Sequence, residues 1–231
     1  MTSIFNFKKM KNFFILLFVA FINFNFYGQM SVGINNRLLD FNLRALRDNG
    51  GDLIDLSTVQ GSPYLNANFE NGQILMVNKD ELFDMLLRYN IYSDEVEAKS
   101  ETDENLSSVL KEKDIQCKLS GQVFSFDSNL GYVVMLEEGK NNLVLKYKSI
   151  YKEAEPGKTP MHQNIPAKFV TKKLYFLKMN NVYTEIPSSL NGLYKLFSEQ
   201  EESLKSFIKE NKLKYSKEED LVKMIHFLNK L

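Results

Sequence analysis

This sequence is short of the residues that build disulfides, metal centres and nucleophilic sites: it has one cysteine and two histidines among 231 residues. A single thiol, Cys117, cannot form an internal disulfide, and it excludes a zinc cluster made of cysteines. A chain of this length can bury a sizeable core without disulfides. We therefore expect Cys117 to be a small buried side chain of a strand, and we predict no metal and no cofactor.

Neither histidine has the neighbours that a metal or catalytic site needs. His162 lies in a proline-rich loop over residues 153–166, where we expect it to be solvated. His226 lies between Ile225 and Phe227 in the last predicted helix, which fits a structural or surface role. The sequence also has no glycine-rich phosphate loop and no G-x-S-x-G motif, so no enzyme activity is predicted.

The charges do not predict a nucleic-acid surface. Lysine and arginine together number 29, as do aspartate and glutamate, and the basic residues do not cluster with aromatic ones. Glu95 and Glu97 share one face of a predicted strand, whereas glycosidase chemistry needs two carboxylates that face each other across a cleft. We therefore expect Glu95 and Glu97 to lie on a solvated face.

The first residues have the layout of a secretory signal peptide. Lys8, Lys9 and Lys11 form a positive start, residues 13–24 form an apolar core, and Gly28 precedes a cleavage point. This apolar core of 12 residues is shorter than the ~20 residues that span a bilayer, although an uncleaved N-terminal anchor is an alternative. Removal of the leader leaves 26 basic and 29 acidic residues, and we expect a soluble periplasmic or secreted protein without a membrane span.

Short alternating segments, separated by turn-forming residues, dominate the sequence after the leader. Residues 143–151 alternate apolar side chains with lysines, which is typical of a half-buried antiparallel strand. Asn71-Gly72 is a hairpin signal in the first half of the chain. The pattern as a whole predicts a mainly β (α+β) fold: a curved antiparallel sheet, sandwich or open barrel, of about 8–10 strands with C-terminal helices.

The C-terminus changes to a helical period. Two capping-box patterns, Ser198-x-x-Glu201 and Ser216-x-x-Glu219, predict where the last two helices begin. The predicted organisation has four parts: a signal peptide over residues 1–28, an N-terminal arm or short helix over 29–51, an antiparallel β domain over 52–187, and C-terminal helices over 188–231, packed on or beside the sheet.

Residues 82–99 mix polar and aromatic side chains into core strands, and they form the candidate site. Ser93 and Asp94 predict a turn between a strand over residues 82–92 and a second strand that restarts the alternation at Val96. Five residues in and near this turn are candidates for binding a ligand or a partner: Tyr64, Arg88, Asn90, Tyr92 and Asp94.

Arg88 decides between a structural and a functional interpretation of these residues. If Arg88 is buried it needs an anionic partner, because an unpaired buried charge is costly, and Asp94 or Glu95 could supply that charge. In the structural interpretation an ion pair or hydrogen bonds to the backbone fix the turn. In the functional interpretation the same side chains form a binding patch, with Tyr64 and Tyr89 packed against it. The sequence leaves both open.

The same stretches carry a resemblance. The segment GSPYL with Phe69 and Gly72, and the segment LRYNIYSDE with Glu97, resemble a recurrent pattern in exported proteins of flavobacteria and related Bacteroidetes. The FIKENKLK segment near the end of the chain is similar to the tail of the same group. The family has no established activity, so the resemblance implies an exported protein of shared fold and assigns no catalytic residue.

Three functions are compatible with the sequence. The lead hypothesis is a non-enzymatic, partner-binding domain that recognises another envelope protein. The alternative is a carrier of an apolar, lipid-like ligand, and a hydrolase that uses Glu or Asp is a third. A carrier would hold its ligand in a cavity lined by six residues: Phe124, Phe126, Tyr132, Leu145, Tyr147 and Phe176. An enclosed apolar cavity favours the carrier, whereas a filled core with exposed apolar side chains favours the partner-binding domain.

Overall fold

The computed structural model describes residues 39–40, 46–48, 50–99, 106–157, 163–180 and 182–231. The chain divides into two compact units, Met1–Asp40 and Phe41–Leu231. In the first unit the described residues are the short strand Leu39–Asp40, so these two residues of the predicted arm are extended rather than helical. The predicted signal peptide and His162 lie outside the described residues.

In the described part of the second unit, regular structure consists of ten strands, three α-helices and short 3-10 turns. The strands are β1 Glu70–Met76, β2 Glu81–Asn90, β3 Glu95–Lys99, β4 Ser107–Val109, β5 Ile115–Leu119, β6 Gln122–Asp127, β7 Gly131–Glu137, β8 Asn142–Lys152, β9 Lys168–Met179 and β10 Val182–Glu185. The helices are α1 Leu190–Leu196, α2 Glu201–Glu210 and α3 Glu218–Asn229. The predicted mainly β fold with C-terminal helices is confirmed.

The ten strands form one antiparallel sheet in the order β4-β3-β2-β1-β5-β6-β7-β8-β9-β10. The sheet is curved and unclosed. Tyr89 on β2 and Tyr147 on β8 show how strong the curvature is. Their strands are five positions apart in the sheet, which would separate them by about 24 Å in a flat sheet. Their ring centroids are 6.5 Å apart, so the sheet rolls around its own core.

Aromatic rings pack against one another inside this roll. The ring of Tyr89 lies 5.0 Å from that of Phe124 and 6.1 Å from that of Tyr132, measured between centroids. Phe124 and Tyr147 are 6.2 Å apart by the same measure. All four side chains are buried. The alternation of apolar residues along β6, β7 and β8 places these rings on one face of the sheet, where they contact one another across the roll.

The helices pack on this same face, nearer the sheet's β10 edge. Leu143 and Leu177, paired residues of β8 and β9, share a buried cluster with Leu193 of α1, Leu204 of α2 and Met224 of α3. Leu143 lies on the same side of β8 as Tyr147, because side chains four residues apart in a strand share a face. Among the described residues, no helix is long and apolar enough to cross a membrane.

Neither predicted capping box forms a side-chain cap. Ser198 lies inside a 3-10 turn, Ser198–Gln200, and the residue that caps α2 is Gln200, which makes no side-chain cap hydrogen bond. The N-cap residue of α3 is Lys217, again without such a bond. The helical period identified the helices correctly, but α2 begins two residues and α3 one residue after the start that the motif predicts.

The predicted hairpin at Asn71-Gly72 is wrong. Both residues lie within β1 and pair with β2. A Cβ atom on Gly72 would lie 2.7 Å from Cδ1 of Leu87 and 2.8 Å from the carbonyl oxygen of Lys118. Glycine is therefore needed here for close packing between neighbouring strands, rather than for a turn. The turn between β1 and β2 is the 3-10 segment Val77–Lys79.

Candidate functional site

Residues 61–65, named the strap here, run along the end of β2. The backbone N–H of Leu65 donates to the carbonyl oxygen of Tyr89 at 2.9 Å, and the N–H of Ile91 donates to the carbonyl oxygen of Pro63 at 2.8 Å. Proline suits this position because it has no N–H of its own to satisfy, while its carbonyl remains free to accept. The ladder between β1 and β2 ends at Leu87, and the strap continues the hydrogen bonding of β2 beyond that residue.

The other end of the strap reaches β9. The N–H of Phe169 donates to the carbonyl oxygen of Gln60 at 2.9 Å, beside the strap. Gly61 has a φ of 77°, and a Cβ atom on it would lie 2.8 Å from the carbonyl oxygen of Phe169. Only glycine combines this left-handed backbone with so close an approach. The strap therefore connects the end of β2 to the start of β9, beside the candidate residues.

Arg88 is paired with Glu97 on β3. The two residues are opposite each other in the ladder, and Nε and Nη2 of Arg88 donate to Oε2 of Glu97 at 3.1 and 2.5 Å. Their side chains are 16% and 7% exposed. The prediction that Glu97 lies on a solvated face is wrong, and the charge facing Arg88 in the ladder is Glu97 rather than Asp94 or Glu95. The cause is the turn, which spans residues 91–94 and shifts the register relative to a two-residue turn.

The strap and the residues after it cover the flat face of the Arg88 guanidinium. Its central carbon lies 3.7 Å from the ring centroid of Tyr64 and 4.4 Å from that of Phe69. Nη1 donates to the carbonyl oxygen of Ala67 at 3.2 Å. A cation over the face of an aromatic ring is attracted to it, and the attraction is stronger where water is partly excluded. Burial raises the pKa of Tyr64, and the charge of the nearby Glu97 raises it further.

Asn90 links the ion pair to the turn. Its Nδ2 donates to Oε1 of Glu97 at 3.1 Å, and its Oδ1 accepts from the backbone N–H of Ser93 at 3.1 Å. The side chain is buried. Because a buried amide is costly unless both ends are satisfied, these two bonds fix the turn relative to β3.

Tyr92 extends the contacts away from β2. Its hydroxyl donates to the carbonyl oxygen of Arg47 at 2.7 Å, and its ring meets that of Phe169 edge-on, with 5.3 Å between centroids. Burial raises the pKa of Tyr92, with Asp48 adding to the effect. Tyr92 therefore touches β9 and the chain before the strap, but not the Arg88–Glu97 pair.

Asp94 belongs to a separate group on the other side of the turn. It has a left-handed φ of 57°, which aspartate tolerates better than most residues. Its Oδ1 accepts from the hydroxyl of Tyr89 at 2.7 Å and from Nζ of Lys146 at 2.6 Å. The backbone N–H of Tyr132 donates to the same carboxylate at 3.3 Å. Burial raises the pKa of Tyr89 and the nearby Asp94 raises it further, whereas burial lowers the pKa of Lys146 despite the opposing effect of Asp94.

The structure thus divides the five candidates into three groups. Tyr64, Arg88 and Asn90 surround Glu97, Tyr92 contacts β9, and Asp94 contacts β7 and β8. The polar atoms of Arg88, Asn90 and Asp94 are directed at other side chains of the protein, namely Glu97, Tyr89 and Lys146, and at the backbone. Sequence reasoning missed Glu97, Lys146 and Gly131, because each depends on a register or a long-range contact. A four-residue turn assumed at 91–94 would have paired Arg88 with Glu97; Lys146 gave no signal beyond strand alternation.

Cys117 and His226, the two other residues with reactive side chains that the sequence singled out, lie outside the candidate site. Cys117 is fully buried, and burial raises its pKa to about 12. Nδ1 of His226 lies 2.7 Å from Oε1 of Glu137 on the exposed side of α3, in agreement with a surface role. In the described ranges, no group of three or more His, Cys, Asp or Glu side chains is arranged to hold a metal ion.

The fold and the site together define a rolled antiparallel sheet, with helices on its inner face and a polar turn at one end. A scan against protein-family models, a search of curated proteins and a search of solved structures each found no match.

Proposed function

We propose that this chain is an exported, non-enzymatic domain that acts by binding a protein partner of the cell envelope. The observation that carries the proposal is the contrast between interior and surface. Inside the roll, the rings of Tyr89, Phe124, Tyr132 and Tyr147 contact one another. Outside it, large apolar side chains remain exposed. Apolar side chains that are grouped on a surface are typical of sites that bind other proteins.

The surface that we assign to the partner is the end of the β1–β2 hairpin. Leu82 is 55% exposed and lies opposite Leu75 in the ladder, and Val77 at the start of the turn is 48% exposed. Three apolar side chains at one hairpin end provide a small apolar centre for an interface with a polar rim. Tyr64 and Tyr92, two partly exposed members of the candidate site, lie at the other end of β2.

A photo-cross-linking amino acid at position 82 tests this assignment. The matched control carries the same group in place of Lys195, an exposed residue of α1. We expect one discrete cross-linked envelope protein from position 82 in intact cells and none from position 195. Equal products from both positions, or none from position 82, would contradict the assignment of this surface.

The carrier of an apolar ligand remains the second candidate, because the sheet is unclosed and its inner face is aromatic. Mass spectrometry of the protein purified from its native envelope separates the two functions. A protein companion in stoichiometric amount supports the partner-binding domain and contradicts the carrier. A co-purified lipid in stoichiometric amount gives the opposite result.

Export is tested independently of binding. We expect the mature protein in the periplasmic or secreted fraction, with an N-terminus close to Gln29 after removal of the predicted signal peptide. Recovery of the intact leader from a membrane fraction would indicate an uncleaved anchor instead.

A further inference from the structure

We infer that Asp94 is a latch that holds the rolled sheet shut, and that the turn over residues 91–94 opens from β7 and β8 as one unit. This inference goes beyond the proposed function, because it concerns a movement built into the fold. It would hold for a partner-binding domain or for a carrier. In both cases it identifies the place where the inside of the roll can be exposed with the sheet ladders intact.

The ladder between β7 and β8 is short. It consists of Val134–Leu145, Met135–Val144 and Glu137–Leu143, whereas β8 and β9 pair over eleven positions. Beyond this ladder, the backbone N–H of Tyr132 donates to the carboxylate of Asp94. The carboxylate of Asp94 therefore accepts a hydrogen bond beyond the end of the β7–β8 ladder. Asp94 itself belongs to the turn between β2 and β3, which is far from β7 in the order of strands.

Gly131 leaves room for this carboxylate. It has a φ of 78°, and a Cβ atom on it would lie 1.8 Å from Oδ2 of Asp94 and 3.0 Å from Nζ of Lys146. A side chain here would fill the position that the carboxylate occupies. The sequence thus places a glycine where the turn docks, as is typical of a close approach between two chain segments.

The charges at this contact are largely withdrawn from solvent. The side chain of Lys146 is 14% exposed and that of Asp94 is 27% exposed. Nζ of Lys146 also donates to the carbonyl oxygen of Tyr132 at 3.1 Å, so the lysine holds both the turn and β7. Hydrogen bonds to charged groups are stronger than neutral ones. One carboxylate therefore carries most of the polar contact between the turn and the two strands.

One buried polar atom of the docked turn lacks a hydrogen bond within the described part of the chain. The buried Oγ of Ser93, the neighbour of Asp94, has no hydrogen-bond partner among the described residues. A buried hydroxyl without a partner is unfavourable and regains hydration when the turn opens. Opening breaks the hydrogen bonds to Asp94, and movement of the whole turn also breaks those of Ile91 to Pro63 and of Tyr92 to Arg47, but no strand ladder is lost. We expect it to occur below the free energy of global unfolding, as local openings do.

Amide hydrogen exchange of the full chain tests the latch, measured by NMR at a series of low urea concentrations. In the wild-type protein we expect the amides of Tyr132, bonded to Asp94, and of Ile91, bonded to Pro63, to exchange through one shared opening with a small urea dependence. The amides of Ile74 and Leu87 in the β1–β2 ladder should exchange only through global unfolding. Exchange of Tyr132 by global unfolding alone would overturn the inference, whether or not any variant folds.

The variant Asp94→Asn keeps the shape and the left-handed backbone but removes the charge. We expect exchange at Tyr132 to accelerate by roughly 10–100-fold, because hydrogen bonds to a charged group are lost. The matched control is Asp84→Asn, an exposed carboxylate on β2 that accepts from Gln73. It should leave the exchange of Tyr132 unchanged. Equal exchange at Tyr132 in wild type and Asp94→Asn would show that Asp94 is not the latch.

Discussion

Arg88 and Glu97 lie opposite each other in the β2–β3 ladder and form an ion pair, with 2.5 Å between Nη2 and Oε2. Asn90 binds the second carboxylate oxygen, and the ring of Tyr64 covers the guanidinium. Because each polar atom of this group has a partner inside the protein, the group orders the turn that follows β2 and also sets the position of Asp94.

Replacement of Arg88 by alanine should destabilise the protein strongly. Arg88→Ala leaves Glu97 buried without its cation, which costs roughly 2–5 kcal/mol of the free energy of unfolding. Urea denaturation measures this loss. The double variant Arg88→Ala/Glu97→Ala should lose less than the sum of the two single variants, since no lone charge remains. An unchanged urea midpoint in Arg88→Ala would instead favour the binding patch.

Gly131 and Gly121 form a matched pair for testing the docking of the turn. Both have a positive φ, but a Cβ atom on Gly121 meets nothing within 4 Å, whereas one on Gly131 meets Asp94. Gly121→Ala should lose roughly 1–2 kcal/mol of unfolding free energy through backbone strain. Gly131→Ala should lose distinctly more. Equal urea midpoints would show that Asp94 can move aside, and Asp94→Ala in the Gly131→Ala background should recover part of the loss.

Cys117 should make the protein less stable as the solution becomes alkaline. Burial raises its pKa to about 12, above the value of roughly 8.5 for an unfolded thiol. Between these two values the unfolded chain releases the proton and the folded chain keeps it. The stabilisation is therefore complete below pH ~8.5 and is lost as the pH rises.

Comparison with Cys117→Ala isolates this thiol from the buried tyrosines, which titrate in the same direction. Above pH ~9.5 the free energy of unfolding of the wild type should fall more steeply than that of Cys117→Ala, by about 1.4 kcal/mol per pH unit. Urea denaturation under reducing conditions gives both curves. Parallel curves would mean that water reaches the thiol in the folded state.

Glu218 should stabilise the protein at neutral pH and lose this effect in acid. Burial alone would raise its pKa, but hydrogen bonds from Lys173 and Tyr175 outweigh burial, and the pKa is lowered. Because the folded pKa lies below the unfolded value of roughly 4.3, the stabilisation is present above that value and disappears as the pH falls through the folded pKa.

Glu218→Gln should therefore be less stable than the wild type at pH ~7, with a difference that shrinks as both approach pH ~3. The matched control is Glu219→Gln, the exposed neighbour in the first turn of α3. It should follow the wild type at both pH values. A constant difference between Glu218→Gln and the wild type would indicate a packing effect rather than a charge effect.

Local patterns predicted the elements well because they depend on neighbouring residues. The alternation in residues 143–151 became β8, and the helical period of the C-terminus became α1, α2 and α3. The motifs that require a particular partner were less reliable. Asn71-Gly72 has turn chemistry, yet Gly72 lies in β1 because Leu87 and Lys118 leave no space for a side chain. Tertiary packing thus overrode a local preference.

The sequence by itself determined that this protein is mainly β, that helices follow the sheet, and that a polar turn interrupts an apolar strand near Ser93 and Asp94. The tertiary structure alone decided which charges meet. Asp94 and Lys146 are 52 residues apart, and they touch because the sheet rolls until β2 faces β7 and β8. No local pattern encodes that distance, since curvature arises from the twist and packing of all ten strands together.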